Sequence, residues 1–295
     1  MTEAELVARA KELFSNRIGD DAAVIDGQVL TADMLVEDVD FTRAIPLRFI
    51  ARKALAVNLS DLAAMGARPR YALVAIGAPE WVNVRELIDE FASAAKSYRI
   101  EIVGGDLSRA AKLTISVTAI GEAKQPILRS GARAGDRLYV SRPLGGSAAG
   151  LALLHADLET MSYADREFAQ SAIRRHLDPE PEIDLGMKLV GIATSCIDVS
   201  DGLSSDVQHL CEHVGADIER ERIPVFPGLT GNIRDYVLNG GEEFALLFTS
   251  PMRESEISAK VGRPVYAIGR ITKEPGVRLD GEPLKPGGFD HFAAR

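Results

Sequence analysis

Acidic side chains recur where this chain of 295 residues breaks its apolar runs: Gly19-Asp20-Asp21, Thr31-Ala32-Asp33, Ser60-Asp61, Gly104-Gly105-Asp106 and Asp198-Val199-Ser200-Asp201-Gly202. Carboxylates at strand mouths, with glycine letting the backbone come close, suit a hard, oxygen-seeking cation. Facing one cleft at low dielectric they would repel one another strongly. Mg2+ would relieve that repulsion, binding through a few carboxylates and leaving its other positions to water and phosphate oxygens. A single Asp-Gly pair usually marks a turn. Five clusters at element boundaries favour a shared cation site. Asn58 and Asp61 are three apart, so they share a helical face on or beside which lie Ala54, Val57 and Met65. An aspartate there needs a cation or a hydrogen-bond partner.

Other patterns are weaker. Gly145-Gly146-Ser147-Ala148-Ala149-Gly150 follows an apolar run and opens a helical one, so its free N–H groups could cradle an anion. Small residues for close helix packing explain it equally well. The phosphate-loop, protein-kinase and nucleophile-elbow signatures are absent from the sequence. His209 and His213 are spaced i, i+4 with no third ligand nearby, which reads as a solvated helix face rather than a zinc site. The two cysteines, Cys196 and Cys211, are too few for a disulfide scaffold and suit a reducing compartment.

Two sets of elements must carry these groups. Helical spacing covers 4–14 and 46–65, the helix after Pro46 ending before Gly66, and a further helix capped by Asn83 with Glu86 carries Leu87, Ile88, Phe91, Ala94 and Ala95 on its apolar side. Strands are expected at 22–25, 29–32, 71–77, 100–103 and 113–120, with a turn at Asp26-Gly27. A second part opens near Gln125-Pro126. It has strands near 137–141, 196–199, 244–248 and 265–271, helices at 147–155, 165–176, 203–213 and 254–261, and a late turn at Asp280-Gly281. Domains 1–123 and 124–295 follow.

Composition sets the class. Apolar residues make up 46% and charged residues 26%, ordinary for a globular chain. Forty-three acids against 34 bases give a net charge of −9, which argues against a nucleic-acid partner. The N-terminal residues carry early acids and do not read as a signal peptide, and no apolar run approaches the ~18 residues of a membrane span. A soluble cytoplasmic protein is expected.

Seven segments together resemble the thiamine-monophosphate kinase family: Gly19-Asp-Asp-Ala-Ala-Val24, Thr31-Ala-Asp-Met-Leu-Val-Glu37, Lys53-Ala-Leu-Ala-Val-Asn-Leu-Ser-Asp-Leu-Ala-Ala-Met-Gly-Ala67, Val103-Gly-Gly-Asp106, Arg129-Ser-Gly-Ala132, Val199-Ser-Asp-Gly-Leu203 and Phe289-Asp-His-Phe292. They occur in family order across nearly the whole chain. The resemblance implies an α/β fold of α+β type. Its N-terminal domain would bind ATP and metal and dimerise through its sheet, and a C-terminal α/β domain would help to shape the ATP cleft. It implies Mg2+ as cofactor, ATP and thiamine monophosphate as partners, and a homodimer.

Matched motif by motif, the resemblance puts metal binding on Asp20, Thr31, the Ala32 backbone, Asp33, Asp61, Asp106, Asp198 and Asp201. It puts ATP contacts on Gly105, Asp106, Arg129 and Ser200. Catalysis falls to Asp61, Asp106, Arg129 and Asp201, and acceptor contacts to Asp40, Glu242 and Phe289. A phosphate-monoester acceptor is mostly ionised at pH 7, with its second pKa near ~6, and needs no general base. Positioning and charge neutralisation suffice. Two segments depart from the family. Its usual Val-Glu-Gly-Val-His-Phe, whose His touches substrate, is here Val36-Glu-Asp-Val-Asp-Phe41, and its usual Gly-Glu-Asp-Tyr-Glu-Leu is here Gly241-Glu-Glu-Phe-Ala-Leu246. Other ATP-using enzymes of the same superfamily, or a non-catalytic Mg-nucleotide-binding dimer, are the alternatives. No cysteine precedes Cys196 and the chain ends Phe-Ala-Ala-Arg295, which sets it apart from selenophosphate synthetase and the hydrogenase-maturation relatives.

Overall fold

The computed structural model describes residues 3–292. The first half runs α1 (Glu3–Leu13), β1 (Ala23–Ile25), β2 (Gln28–Val36), α2 (Leu47–Ala64), β3 (Arg68–Ala78), α3 (Val84–Tyr98), β4 (Glu101–Arg109) and β5 (Thr114–Glu122). Its five strands form one mixed sheet in the order β1-β2-β5-β3-β4. β1 and β2 form a hairpin through Asp26 and Gly27, whose φ of 51° and 81° fit the two left-handed positions of a type I′ turn. β3 and β4 are parallel and joined by α3, which Asn83 caps by accepting the Glu86 N–H at 3.3 Å. Pro46 lies one position before the helix it was expected to open, as the cap residue ahead of Leu47.

Alternation along β3 and β5 turns Ala72, Val74, Ile76, Ile115, Val117 and Ala119 inward onto a core shared with α2 and α3. The opposite sheet face is uncovered in the single chain. Met34, Tyr71, Leu73, Val103 and Leu107 are all exposed there and along the β4 edge.

The second half runs β6 (Arg137–Val140), α4 (Gly146–Leu153), α5 (Tyr163–Leu177), α6 (Ile183–Leu189), β7 (Ser195–Asp198), α7 (Leu203–Leu210), β8 (Gly215–Ile218), α8 (Ile233–Leu238), β9 (Leu246–Ser250), α9 (Glu254–Val261), β10 (Tyr266–Thr272), β11 (Gly276–Leu279) and β12 (Glu282–Pro283). These strands make a seven-stranded sheet in the order β12-β11-β8-β10-β6-β9-β7.

Sequence reading missed α6, α8, β8, β11 and β12 and misplaced several boundaries. β2 runs to Val36 and β4 to Arg109 rather than to 32 and 103, so Asp33 and Asp106 lie inside strands and not at their mouths. α7 ends at Leu210, where the Cys211 N–H bonds back to both Val207 and Gln208, so His213 lies beyond the helix and does not share a helical face with His209. β9 begins at Leu246 rather than 244 because Phe244 takes a left-handed backbone, φ 48°, that a strand cannot hold.

Helix α2 joins the two halves. Leu55 and Leu59 pack into the first core, whereas Ala63 and Ala64 pack with Leu185, Leu189, Cys196 and Phe248 of the second half. The helices cross closely at Gly186, where a Cβ would lie 1.9 Å from the Ala63 carbonyl oxygen. Among the described residues no helix is long and apolar enough to cross a membrane.

Candidate active site

A cavity of about 830 Å³ opens where the two halves meet. Asp33 from β2, Asp61 from α2, and Asp198, Ser200 and Asp201 from β7 and the turn after it line it together. Local bonds hold each of them. Asn58 accepts the Asp33 N–H at 3.1 Å and donates to the Ala54 carbonyl at 3.0 Å, fixing β2 to α2. Thr31 Oγ1 donates to Asp61 Oδ2 at 2.5 Å, and Ser60 Oγ donates to Asp198 Oδ2. One turn of α2 therefore positions three strand-borne groups.

Asp21 does not line the cavity but lies close enough to act on Asp61 and Asp198, although its neighbour Asp20 carried the expectation. Asp20 turns its carboxylate to the Arg129 backbone N–H, at 3.3 and 3.4 Å. The Asp21 side chain is buried, and its Oδ2 has no hydrogen-bond partner among the described residues. Arg129 is held by the Gly19 carbonyl, Nε to O at 2.6 Å, with Nη1 3.8 Å from Asp21 Oδ1. The signal for Asp21 lay in the Gly-Asp-Asp triplet, which says that an acid is present but not which one faces inward.

Crowding shows in the acidities. Burial pushes the Asp61 carboxyl well above the usual range, and Asp33, Asp198 and Asp21 push it further. Burial first, then Asp198, does the same to Asp21. Asp198 is pushed up to about 7 and Asp201 to about 6, burial leading in both. Asp33 is raised by burial and by Asp40. A set of oxygens that resists ionisation until a cation arrives suits Mg2+ chemically. Among the described residues, no three acid, histidine or cysteine side chains close a metal shell unaided. Phosphate oxygens and water would have to complete it, as Mg2+ ordinarily requires.

A second group of lining residues is Asp40, Ser147, His176, Glu242, Phe244 and Phe289. Asp40 accepts the Val36 N–H at 2.7 Å. Glu242 pairs through Oε1 with buried Lys53, and its Oε2 lies 3.3 Å from His176 Nδ1. His176 and Lys53 were not singled out from sequence. A lysine inside the apolar Lys53–Val57 run was the available hint, and a histidine near a helix end gave none. Phe289 is 44% exposed and meets His291 edge-on at 4.7 Å. Its backbone N–H donates to the Asp201 carbonyl at 3.1 Å, and Ser204 and Ser205 accept the N–H groups of Gly287 and Gly288 at 3.1 Å each.

The glycine-rich cradle at α4 is already filled. Gly145 and Ser147 donate their N–H groups to Glu243 Oε1, at 2.9 and 2.8 Å, and Arg175 pairs with Oε2 at 3.2 Å. The anion there is this chain's own carboxylate. The packing role holds too, since a Cβ at Gly150 would lie 2.0 Å from the Ala172 carbonyl oxygen of α5.

Gly105 and Asp106 are not brought to the cavity. The sheet register aligns Met34, Ser116, Ala75 and Asp106 in one row, on the outer face, while Asp33 lies in the inward row with Val117 and Val74. β4 is also three strands from β2, roughly 14 Å at ~4.8 Å per strand. Asp106 accepts from Ser108 Oγ at 3.1 Å. Gly105 has a local reason of its own, because a Cβ there would lie 1.7 Å from the Val74 carbonyl oxygen of the paired strand.

Residues 19–123 match the N-terminal domain of the AIR synthase related proteins, and residues 133–282 match the C-terminal domain. The chain is 36% identical over 299 residues to a thiamine-monophosphate kinase of Aquifex aeolicus, covering 96% of this chain and 95% of the relative. It is 35% identical over 302 residues to that of Escherichia coli K12, covering 94% and 91%. A solved structure described as "AaThiL complexed with AMPPCP and TMP" superposes with a TM-score of 0.90 at 34% identity, over 99% of this chain and 97% of that one.

Proposed function

Because this chain belongs to the thiamine-monophosphate kinase family, built from AIR synthase related domains, we propose that it transfers the terminal phosphoryl group of ATP to the phosphate of thiamine monophosphate, giving thiamine diphosphate and ADP. The observation that carries this reading is the single cavity in which a ladder of carboxylates shares its walls with Glu242 and Phe289. A relative of 34% identity, matched over nearly the whole chain, is known in complex with AMPPCP and TMP.

Asp21, Asp33, Asp61, Asp198 and Asp201 would hold Mg2+, which when bound supplies the positive charge that draws two anionic phosphates together. Residues of the chain do the remaining work. Thr31, Asn58 and Ser60 fix the carboxylates before any ligand arrives, so little reorganisation is left for the reaction. Arg129, tied to Gly19, stands beside Asp21, where a guanidinium can meet a phosphate oxygen. The acceptor oxygen is already ionised and attacks without a base.

Asp106 and Gly105 act in this scheme through a second copy. The place of Asp106 on the uncovered face with exposed Met34, Tyr71 and Leu73, and of Gly105 beside it on the edge strand β4, fits a homodimer in which one chain presents β4 to its mate. Two buried free thiols suit a reducing, cytoplasmic setting.

The test is product analysis with ATP, Mg2+ and either thiamine monophosphate or thiamine. Thiamine diphosphate should form from the first, and nothing should form from the second. Thiamine monophosphate appearing from thiamine would overturn the reading.

A further inference from the structure

One wall of the cavity carries a charged network in which Glu242 is joined by two residues, Lys53 and His176, that have no part in the scheme above. Lys53 is buried on α2, and its ammonium pairs with Glu242 Oε1. The other Glu242 oxygen faces His176 Nδ1 at 3.3 Å, and Ser147 Oγ lies 3.1 Å from the same nitrogen. Burial and the nearby Lys53 push the His176 pKa down to about 4, so the ring is neutral at pH 7, and Nδ1 is the nitrogen that meets both the carboxylate and the hydroxyl.

The loop is pinned on both sides of Glu242. Its own N–H donates to the Ser200 carbonyl at 2.7 Å, and Glu243 is locked onto α4 and Arg175. Glu242 itself is held at φ 59°, a conformation that a non-glycine residue keeps only when its surroundings impose it. Lys53 is buried and does not line the cavity, whereas the Glu242 side chain stays 31% exposed on it, so this wall presents carboxylate rather than ammonium to whatever enters, and Asp40 lies on the same cavity.

We propose that Lys53 and His176 are positioning residues that act through Glu242, fixing its carboxylate on the cavity wall so that the acceptor is chosen for a positively charged ring as well as for its phosphate. The inference rests on the proposed phosphorylation of thiamine monophosphate and adds two residues to it.

The test is steady-state kinetics on the full chain with Lys53→Met, His176→Asn, Glu242→Gln and the Glu242→Gln/His176→Asn double variant. Losing a charge-assisted contact should raise the acceptor KM on the order of tenfold in Glu242→Gln. Lys53→Met and His176→Asn should each raise it by roughly three- to tenfold, with kcat and the KM for ATP within about twofold of wild type. The double variant should be no worse than Glu242→Gln alone, since both act on one carboxylate. Benzyl phosphate, a monoester with a neutral ring, should inhibit all of them equally.

An unchanged acceptor KM in His176→Asn, effects that multiply in the double variant, or a parallel loss of kcat, both KM values and melting temperature would overturn the inference. If Lys53→Met does not fold, His176→Asn and His176→Gln decide the matter. A wild-type protein that makes no thiamine diphosphate overturns the parent reading instead, and this inference with it.

Discussion

Asp61 stands among Asp21, Asp33 and Asp198, which oppose its ionisation. Asp61→Asn should therefore abolish Mg2+-dependent transfer while leaving the metal-free melting temperature equal or higher, because a repelling charge leaves the cluster. Near-normal turnover at saturating Mg2+ would remove Asp61 from the site. Phe289 invites a different test. A core anchor would cost ~3–5 kcal/mol of stability on truncation. At 44% exposure, on the cavity wall, Phe289 should instead lose a ring contact of about 0.5–1.5 kcal/mol in Phe289→Ala, read as a roughly two- to twelvefold rise in acceptor KM with little change in melting temperature. What was legible at this scale was residue type. Aspartates beside strands and glycines announced a cation site, yet Asp20 and Asp21 cannot be told apart without the turn that aims one at Arg129 and the other inward.

Helix α4 shows how an element can look like a ligand site and be a structural joint. Its first N–H groups are satisfied by Glu243, which also carries Arg175. Glu243→Ala should cost about 1–3 kcal/mol, since it leaves the Gly145 and Ser147 N–H groups without their acceptor and the Arg175 guanidinium with only the Glu243 backbone carbonyl, and calorimetry or chemical denaturation would show it. A loss below 1 kcal/mol would mean that the pair contributes little. The sequence did show most of the long elements, though β4 runs on to Arg109, well past the strand expected at 100–103. Alternation marks β2, β3 and β5, and an apolar helical run bounded by Pro46 and Gly66 marks α2. Short elements escaped because their cause is distant. α6 spans seven residues, has no side-chain cap, and is helical because Leu185, Gly186 and Leu189 pack on α2 and its neighbours. β8 has four residues, and its strand partners are β10 and β11.

Charge and assembly act on the molecule as a whole. The unfolded chain gives up its aspartate protons near pH ~4, whereas folded Asp201 and Asp198 hold theirs to about 6 and about 7. Across that window the native state binds more protons, so the contribution of these groups to stability falls as pH rises. The metal-free melting temperature should fall less steeply with pH in Asp198→Asn than in wild type, and Mg2+ should raise the wild-type value more at pH 7.5 than at pH 5. No response to Mg2+ at pH 7.5 would contradict the cation site. Light scattering should give a dimer at micromolar concentration, and Leu107→Lys on the exposed β4 edge should shift it toward monomer with loss of turnover. A monomeric wild type would leave Asp106 outside the chemistry. Helix α2 has a further consequence. One of its turns belongs to the first core and the next to the second, while Asn58, Ser60 and Asp61 between them hold the carboxylates in place. Neither sheet can melt without undoing the helix that the other needs. The two halves should thus denature as one cooperative unit, with a single calorimetric peak and the slowest-exchanging amides along α2.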